Sequence, residues 1–183
     1  MDAIKMLVDR RSIRKYKDEV VPQEVLEQIV DVARYAPSWA NFQIARYNFI
    51  SNEDIIAKIS EKGVNGFVYN KSTLKNTKNL LVLSFVKGKS GKLDPSKDEY
   101  ATSQSKEWEM FDAGIATQTF CLAAHEKGIG TCIFGVIDAK AIAEIINLPE
   151  DETVGTVITF GYPDETIDST SRKEVSEITR FTK

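Results

Sequence analysis

Apolar residues at helical spacing predict two helices in the first part of the chain. The first pattern runs from Asp2 to Asp9. The second opens at Pro22 and continues to Ala36, with Pro37 as its stop, and its apolar stripe consists of Val25, Leu26, Ile29, Val32 and Ala33. A proline at the start and another after the end are typical of helix boundaries.

Runs of apolar and β-branched residues predict the strands. Tyr47 to Ile50 forms a short strand pattern, and Val154 to Phe160 forms a final one. The run from Leu80 to Val86 is continuously apolar, so we expect both faces of that strand to be buried. Ile129 to Phe134 is a further apolar segment flanked by glycines.

Polar caps mark two later helices, a third is the longest of the chain, and one segment stays ambiguous. Asn52 caps a helix to about Lys62 that stops at Gly63, and Asp138 caps one to about Leu148. The longest helix runs from about Lys106 to Lys127 and is apolar around most of its surface, which predicts a central helix shared with a partner subunit. Residues 63–74 fit neither pattern clearly.

Two segments contain little apolar material. Residues 87–106 are rich in Lys, Gly, Ser, Asp and Pro, which predicts an exposed loop or mobile lid. Residues 161–183 form a polar tail whose few apolar anchors are Ile167, Val175, Ile178 and Phe181. Neither segment is a domain boundary, so we expect one domain over residues 1–183.

Composition limits the classes of function. The chain has 183 residues and a formal net charge of -3, which argues against a nucleic-acid surface. Cys121 and Cys132 lie outside any disulfide or metal-ligand spacing, and no secretory segment opens the chain, so we expect a reducing, cytoplasmic location. No apolar run is long enough to predict a membrane span, and no metal site is expected.

The usual catalytic motifs are absent. His125 is the one histidine, and the chain contains no GxSxG, HExxH or GxxxxGKS/T motif. We expect His125 to face the helix surface or a carbonyl group and to take no catalytic part. If the protein is an enzyme, a cofactor therefore carries the reaction.

A basic segment follows the first helix, with the sequence Arg10-Arg11-Ser12-Ile13-Arg14-Lys15-Tyr16. Guanidinium groups bind phosphate through paired hydrogen bonds, and a serine hydroxyl adds another, while Ile13 and Tyr16 can anchor the segment in a core. The alternative is that these charges complement the helix C-terminus and otherwise lie in water.

Glycines surround the segment from Gly128 to Gly135. This is not a dinucleotide-binding fingerprint, because the first glycines end a helix and do not open one. We interpret Gly128 as a helix terminator and Cys132 as a small buried apolar residue. Gly135 could let a backbone N–H approach a planar ligand.

Five motifs in order resemble the FMN-dependent nitroreductase-like oxidoreductases. These are RRSIRKY at 10–16, APSWANFQ at 36–43, DAGIATQTFCLAAHEKGIGTCIFG at 112–135, VITFGYPDE at 157–165, and the pair Arg172-Lys173. The resemblance implies an α+β fold with a mainly antiparallel central sheet and helices on both sides. It also implies an interlocked homodimer with FMN at the subunit interface.

The resemblance assigns roles to individual residues. Arg10, Arg11 and Ser12 would hold the FMN phosphate and ribityl chain, with Arg172 and Lys173 completing that site. Arg14 would lie beside the N1 and O2 edge of the flavin and tune its reduction potential, and no side chain would be catalytic. A loop of the other subunit would cover the flavin, and it consists of Pro37, Ser38, Trp39 and Asn41. The segment behind the flavin ring would consist of Ile133, Phe134 and Gly135.

Several of these positions have simpler interpretations. Ser38 and Asn41 are common turn residues after a proline, and Arg172 and Lys173 are typical of a solvated tail. Trp39 is harder to explain in that way, because a tryptophan in a turn needs a surface on which to pack.

The chain departs from the family pattern in two places. Ile44-Ala45-Arg46 stands where the family usually has Pro and Trp. The chain is also short for the family, and residues 87–106 stand in place of the longer helical segment that often covers the substrate. The family's asparagine and lysine contacts to the flavin ring have only Asn70, Lys71 and Lys75 as candidates.

The implied activity is hydride transfer from NAD(P)H to flavin N5 and then to a small acceptor, in ping-pong order. The acceptor would be a nitroaromatic compound, a quinone or free flavin. Two other functions stay open: a flavin-binding redox sensor or storage module, and a homodimeric scaffold without FMN.

Overall fold

The computed structural model describes residues 2–182. The helices are α1 (Ala3–Asp9), α2 (Gln23–Ala33), α3 (Glu53–Lys62), α4 (Val68–Leu74), α5 (Glu107–Glu126), α6 (Ala139–Ile145) and α7 (Val175–Ile178). The strands are β1 (Ala45–Ile50), β2 (Asn79–Val86), β3 (Gly130–Phe134) and β4 (Glu152–Gly161). A short 3₁₀ turn covers Trp39–Asn41.

The four strands form one sheet in the order β1-β2-β4-β3, and every neighbouring pair is antiparallel. All eight residues of β2 are buried, as its apolar run predicts. The two central strands therefore carry helices on both faces.

Successive side chains of the sheet point into two different cores. Leu81, Ile158 and Phe160 pack against α2 and α5 on one face. Leu80, Val82 and Val157 pack against α3 and α6 on the other. The antiparallel sheet between two helical layers confirms the predicted α+β fold class.

The predicted helix caps are present. Asn52 Oδ1 accepts from the Ile55 N–H at 3.1 Å, and Asp138 Oδ1 accepts from the Ala141 N–H at 3.0 Å. At the end of α5, Gly128 has φ +75° and donates to the His125 carbonyl, while Ile129 donates to the Ala124 carbonyl. This pair of bonds is a Schellman motif, so the interpretation of Gly128 as a terminator is confirmed.

Two predicted helices are shorter than expected. α2 ends at Ala33 and not at Ala36, because residues 34–36 tighten into turns before Pro37. α6 ends at Ile145 and not near Leu148, because Asn147 takes a left-handed conformation with φ +52°. The ambiguous segment 63–74 contains α4.

The prediction for residues 87–106 was partly wrong. The segment consists of turns, and most of it is exposed, but Ser90, Gly91 and Lys92 are buried. The Ala101 N–H donates to the Gly91 carbonyl at 2.8 Å and closes the loop at its base. Polar composition does not imply exposure where the polar groups have hydrogen-bond partners.

The tail does not use its predicted anchors within one protomer. Ile167 is half-buried, but the side chains of Val175, Ile178 and Phe181 are exposed, the last at 88%. The few apolar residues of the tail therefore stay available to contact a surface outside the protomer.

Candidate functional site

The basic segment after α1 lies against the edge of the sheet. Ser12 forms a bridge with Thr131 of β3, and the Ile13 N–H donates to the Thr131 carbonyl at 2.9 Å. A Cβ atom at Gly130 would lie 2.7 Å from Ile13 Cγ1, so only glycine permits this approach. The segment is therefore fixed beside the strand that leads to Gly135.

Ile13 and Tyr16 anchor this segment in the core, as predicted. Both side chains are buried. The Tyr16 hydroxyl donates to the Ile13 carbonyl and lies 3.0 Å from Thr159 Oγ1 on β4. Burial raises the pKa of Tyr16 well above its usual value, although the hydrogen bond to Thr159 opposes the shift.

Glu165 joins the VITFGYPDE motif to the basic segment. Its Oε1 accepts from the backbone N–H groups of Arg14, at 2.5 Å, and Lys15, at 3.0 Å. Two motifs about 150 residues apart in sequence therefore meet at one place. Because its backbone is held in this way, the Arg14 side chain is exposed at a fixed point of the surface.

Arg10 and Arg11 are half-buried, and the Nε atom of each is buried without a hydrogen-bond partner among residues 2–182. Arg11 donates through Nη1 to the carbonyls of Val8 and Arg10. Buried donors are nearly always paired in native proteins. The two guanidinium groups thus retain hydrogen-bonding capacity that suits an anion such as a phosphate.

The glycine-flanked segment presents one open face beside the basic segment. Ile133 is 45% exposed, whereas Phe134 is buried in the core beneath α6, so only the Phe134 backbone can contact a ligand. A Cβ atom at Gly135 would meet no heavy atom within 4 Å. The space beside Gly135 is therefore open in one protomer.

Asn70 is the candidate ring contact that lies next to this segment. Its Nδ2 donates to the Val136 carbonyl at 3.0 Å. Lys71 and Lys75 line a cavity of about 690 Å³ between α3 and α4, together with Tyr16 and Leu74. The structure thus places Asn70 beside Gly135, and the roles of all three residues stay predictions.

The loop that follows α2 is held in an unusual conformation. Ala40, Asn41 and Gln43 have φ values of 46°, 56° and 49°, in the left-handed region. Non-glycine residues adopt this region at a cost of about 1–3 kcal/mol each, and they concentrate at functional sites. Ser38 Oγ accepts from the Gln43 N–H at 2.9 Å and stabilises the turn.

Trp39 packs on Trp108 of α5, with ring centroids 5.0 Å apart. Its indole Nε1 donates to the Lys92 carbonyl at 2.6 Å. The expectation that this tryptophan needs a packing surface is confirmed. The same contacts join the loop to the buried part of residues 87–106.

Asp112 is a residue whose role the sequence analysis missed. Its side chain is 3% exposed, accepts from the Trp39 N–H, and accepts from Ser90 Oγ at 2.6 Å. The sequence does contain one signal for this role, an acidic residue in an otherwise apolar stretch of helix. A carboxylate that is buried there needs hydrogen-bond donors from neighbouring segments. Asp112 connects α5 to both loops.

Arg172 and Lys173 are exposed in the tail. The hydrogen bonds of Arg172 go to Thr170 and Ser171 beside it. The phosphate role of Arg172 and Lys173 stays a prediction.

No helix within residues 2–182 has the length and apolarity to cross a membrane. Comparison with known proteins identifies the family of the chain. The family model described as the nitroreductase family matches residues 7–162.

Two relatives and one solved structure illustrate the similarity. A candidate NADH dehydrogenase/NAD(P)H nitroreductase of Archaeoglobus fulgidus is 30% identical over 166 residues, covering 88% of this chain and 86% of its own. The NAD(P)H-dependent FMN reductase of Bacillus subtilis is 29% identical over 168 residues, covering 88% and 66%. The structure of a candidate nitroreductase of Exiguobacterium sibiricum in complex with FMN superposes with a TM-score of 0.84 at 20% identity, covering 100% and 98%.

Proposed function

Because this chain belongs to the nitroreductase family, we propose that it is an FMN-dependent oxidoreductase. It takes hydride from NAD(P)H onto flavin N5 and passes it to a small acceptor in ping-pong order. The acceptor class is a nitroaromatic compound, a quinone or free flavin. The relatives named as NAD(P)H nitroreductase and FMN reductase support this assignment.

The observation that carries the proposal is the contact between the basic segment and β3. The bridge from Ser12 to Thr131 holds Arg10 and Arg14 beside β3, the strand that leads to Gly135. Donors for a phosphate and an open surface for a planar ring therefore lie next to each other. FMN has these two parts, joined by a ribityl chain.

The side chains of this chain would divide the binding of FMN among them. Arg10, Arg11 and Ser12 would hold the phosphate, and the unpartnered Nε atoms of both arginines fit that task. Arg14 would place a positive charge at the edge of the ring where negative charge accumulates on reduction. Ile133 and the Gly135 backbone would support the ring from behind.

Bound FMN would supply the hydride chemistry, so the protein needs no nucleophile or general base of its own. The loop of Pro37, Ser38, Trp39 and Asn41 would cover the ring of the other subunit. Asp112 and the Lys92 carbonyl fix this loop by accepting hydrogen bonds from the backbone and the indole of Trp39. They hold Trp39 in one position and thereby limit which acceptors can enter.

The apolar surface that the protomer leaves open supports a homodimer. On α5, Met110 and Phe111 are 53% and 58% exposed, and Ile115 belongs to the same surface. Val175 and Phe181 of the tail are also exposed. A second copy of the chain would bury both surfaces, and it would bring in the loop that covers the FMN. The proposed location is the cytoplasm, because the two cysteines are free and buried and disulfides are rare in a reducing compartment.

A thermal unfolding experiment with two ligands, FMN and riboflavin, tests FMN binding. FMN should raise the melting temperature, with about 2.7 kcal/mol of stabilisation at a concentration of 100 times the Kd. Riboflavin, which lacks the phosphate, should have a smaller effect. Equal effects of FMN and riboflavin would contradict the phosphate site, and no effect of FMN would contradict the proposed function.

Turnover separates the enzyme from a sensor or storage module. NADH or NADPH should reduce the bound flavin under anaerobic conditions, and an added quinone or nitroaromatic compound should reoxidise it many times. A protein that binds FMN but transfers no electrons to any acceptor would support the sensor instead.

A further inference from the structure

Three buried side-chain nitrogen atoms have no hydrogen-bond partner within the described residues 2–182. They are Arg10 Nε, Arg11 Nε and His125 Nε2. α1 and α5 pack against each other, and His125 lies in the last turn of α5. Arg10 and Arg11 are among the charges that act on its imidazole. The three unpartnered nitrogens therefore belong to one neighbourhood.

Buried polar groups in native proteins are nearly always hydrogen-bonded. Two guanidinium donors and an imidazole nitrogen without partners in one neighbourhood point to a common ligand. Both guanidinium groups are cationic, so the acceptor that satisfies them is an anion with several oxygen atoms. A phosphate monoester has this chemistry.

We propose that His125 is a third side chain that binds the phosphate of FMN, next to Arg10 and Arg11, and that FMN binding draws a proton onto its imidazole. This inference rests on the proposed function and extends it, because the family resemblance assigns no role to this histidine. His125 would act as a binding residue and not as a catalytic one.

The charges around His125 favour its neutral form in the absence of a ligand. Burial lowers the pKa of the imidazole, Arg10 and Arg11 lower it further, and Asp9 acts in the opposite direction. Asp9 is held by Lys5, whose hydrogen bond lowers the pKa of that carboxyl group. On α5 itself, the nearby groups are Cys121 one turn earlier and the Glu126–Lys127 pair, whose charged atoms are 3.8 Å apart.

A bound phosphate reverses this balance. Its negative charge favours the protonated imidazole, so the pKa of His125 rises on binding. By linkage, the affinity for FMN then increases as the pH falls through the pKa of His125 in the complex. The phosphate itself takes up a proton with a pKa of about 6, which weakens binding at low pH, so a variant without the imidazole is the necessary reference.

Proton NMR measures the central quantity directly. His125 is the one histidine of the chain, so its imidazole resonances need no assignment. Its pKa should lie below the usual value in the free protein and rise by about one unit with FMN, which corresponds to about tenfold tighter binding to the protonated form. Inorganic phosphate should raise it as well, and riboflavin should not.

The outcomes separate this inference from the proposed function. If flavin fluorescence shows that FMN binds while the pKa of His125 does not move, the inference is wrong and the proposed function stands. If riboflavin raises the pKa as much as FMN does, the phosphate is not the cause and the inference is also wrong. If FMN does not bind at any pH, the proposed function itself is wrong.

A pair of variants gives an independent test. His125→Gln keeps a hydrogen-bond donor but cannot titrate, and Lys127→Gln changes a charge in the same region without touching the imidazole. The FMN Kd of wild type and His125→Gln should agree at pH 8, and wild type should bind about fivefold more tightly at pH 5.5. Lys127→Gln should behave as wild type. Parallel pH profiles for wild type and His125→Gln would overturn the inference.

Discussion

The backbone N–H of Trp39 donates to both carboxylate oxygens of Asp112, at 3.2 Å to Oδ1 and 3.0 Å to Oδ2. This contact fixes a loop of left-handed residues to the second turn of α5. Ser90 donates to the same carboxylate, so one side chain orders two loops. The loop that carries Trp39 is therefore a fixed part of the fold and not a flexible turn.

Removing this carboxylate should loosen both loops. Asp112→Ala leaves the Trp39 N–H and the Ser90 hydroxyl without an acceptor, and we expect a loss of about 3 kcal/mol in the free energy of unfolding. Ser90→Ala removes one hydrogen bond and should cost about 1 kcal/mol. Urea unfolding at fixed protein concentration measures both, and equal effects would contradict the role given to Asp112.

Tryptophan fluorescence locates the change. The chain contains two tryptophans, and Trp39 and Trp108 pack against each other. The emission of native Asp112→Ala should shift to longer wavelength because Trp39 gains access to water, whereas that of Ser90→Ala should shift less. An unchanged spectrum for Asp112→Ala would show that the loop is held by other contacts.

Two glycines of the same segment should respond differently to a methyl group. Gly130→Ala places a Cβ atom 2.7 Å from Ile13 Cγ1, so we expect a loss of about 1–3 kcal/mol in stability. Gly135→Ala meets nothing within 4 Å and should change stability by less than about 0.5 kcal/mol. Its FMN affinity should instead fall about tenfold, or about 1.4 kcal/mol, if the backbone contacts the ring.

Thermal unfolding and an FMN titration measure the two effects separately. The prediction for Gly135 is wrong if the alanine variant binds FMN as wild type does. The prediction for Gly130 is wrong if its variant keeps full stability, because the basic segment would then not depend on its close approach to β3.

Much of this fold could be predicted from the sequence because its signals are local. The continuous apolar run of β2, the caps at Asn52 and Asp138, and the glycine after α5 each specify a boundary without knowledge of distant contacts. The ends of α2 and α6 were harder, since they depend on turns of two or three residues.

The site was less predictable, because its order comes from contacts across the chain. The sequence marks Arg14 and Glu165 as parts of two motifs, but it does not show that Glu165 binds the backbone of Arg14. In the same way, the polar composition of residues 87–106 conceals the burial of Ser90 and Lys92, whose partners are Asp112 and Trp39. The apolar residues Val175, Ile178 and Phe181 of the tail lie on a surface that one protomer leaves open.

A charge on the exposed face of α5 should prevent dimerisation. Phe111→Arg places a guanidinium group in the apolar surface with Met110 and Ile115, and burying it without a partner would cost several kcal/mol. Light scattering should give twice 20.5 kDa for wild type and 20.5 kDa for the variant. Lys58→Glu on the outer face of α3 should leave the dimer intact. A monomeric wild type would contradict the interface.

Arg14 should affect the chemistry of the flavin more than its binding. Its guanidinium is exposed and its backbone is held by Glu165, so Arg14→Ala should preserve the local fold. We expect the rate of flavin reduction by NAD(P)H to fall about tenfold, or about 1.4 kcal/mol in the barrier, with a smaller change in the FMN Kd. Arg14→Lys should recover part of the rate. The opposite ranking of the two effects would mean that Arg14 binds another part of the cofactor.

We propose that FMN bound beside Arg10, Arg14 and Gly135 transfers electrons from a nicotinamide to a second acceptor. Anaerobic stopped-flow absorbance at about 450 nm measures this transfer, because oxidised flavin absorbs there and reduced flavin does not. We expect NADH or NADPH to bleach the FMN-loaded protein, and a quinone or nitroaromatic compound, added after the nicotinamide has left, to restore the absorbance. A protein that stays colourless with FMN, or whose bound flavin neither nicotinamide can reduce, would contradict it.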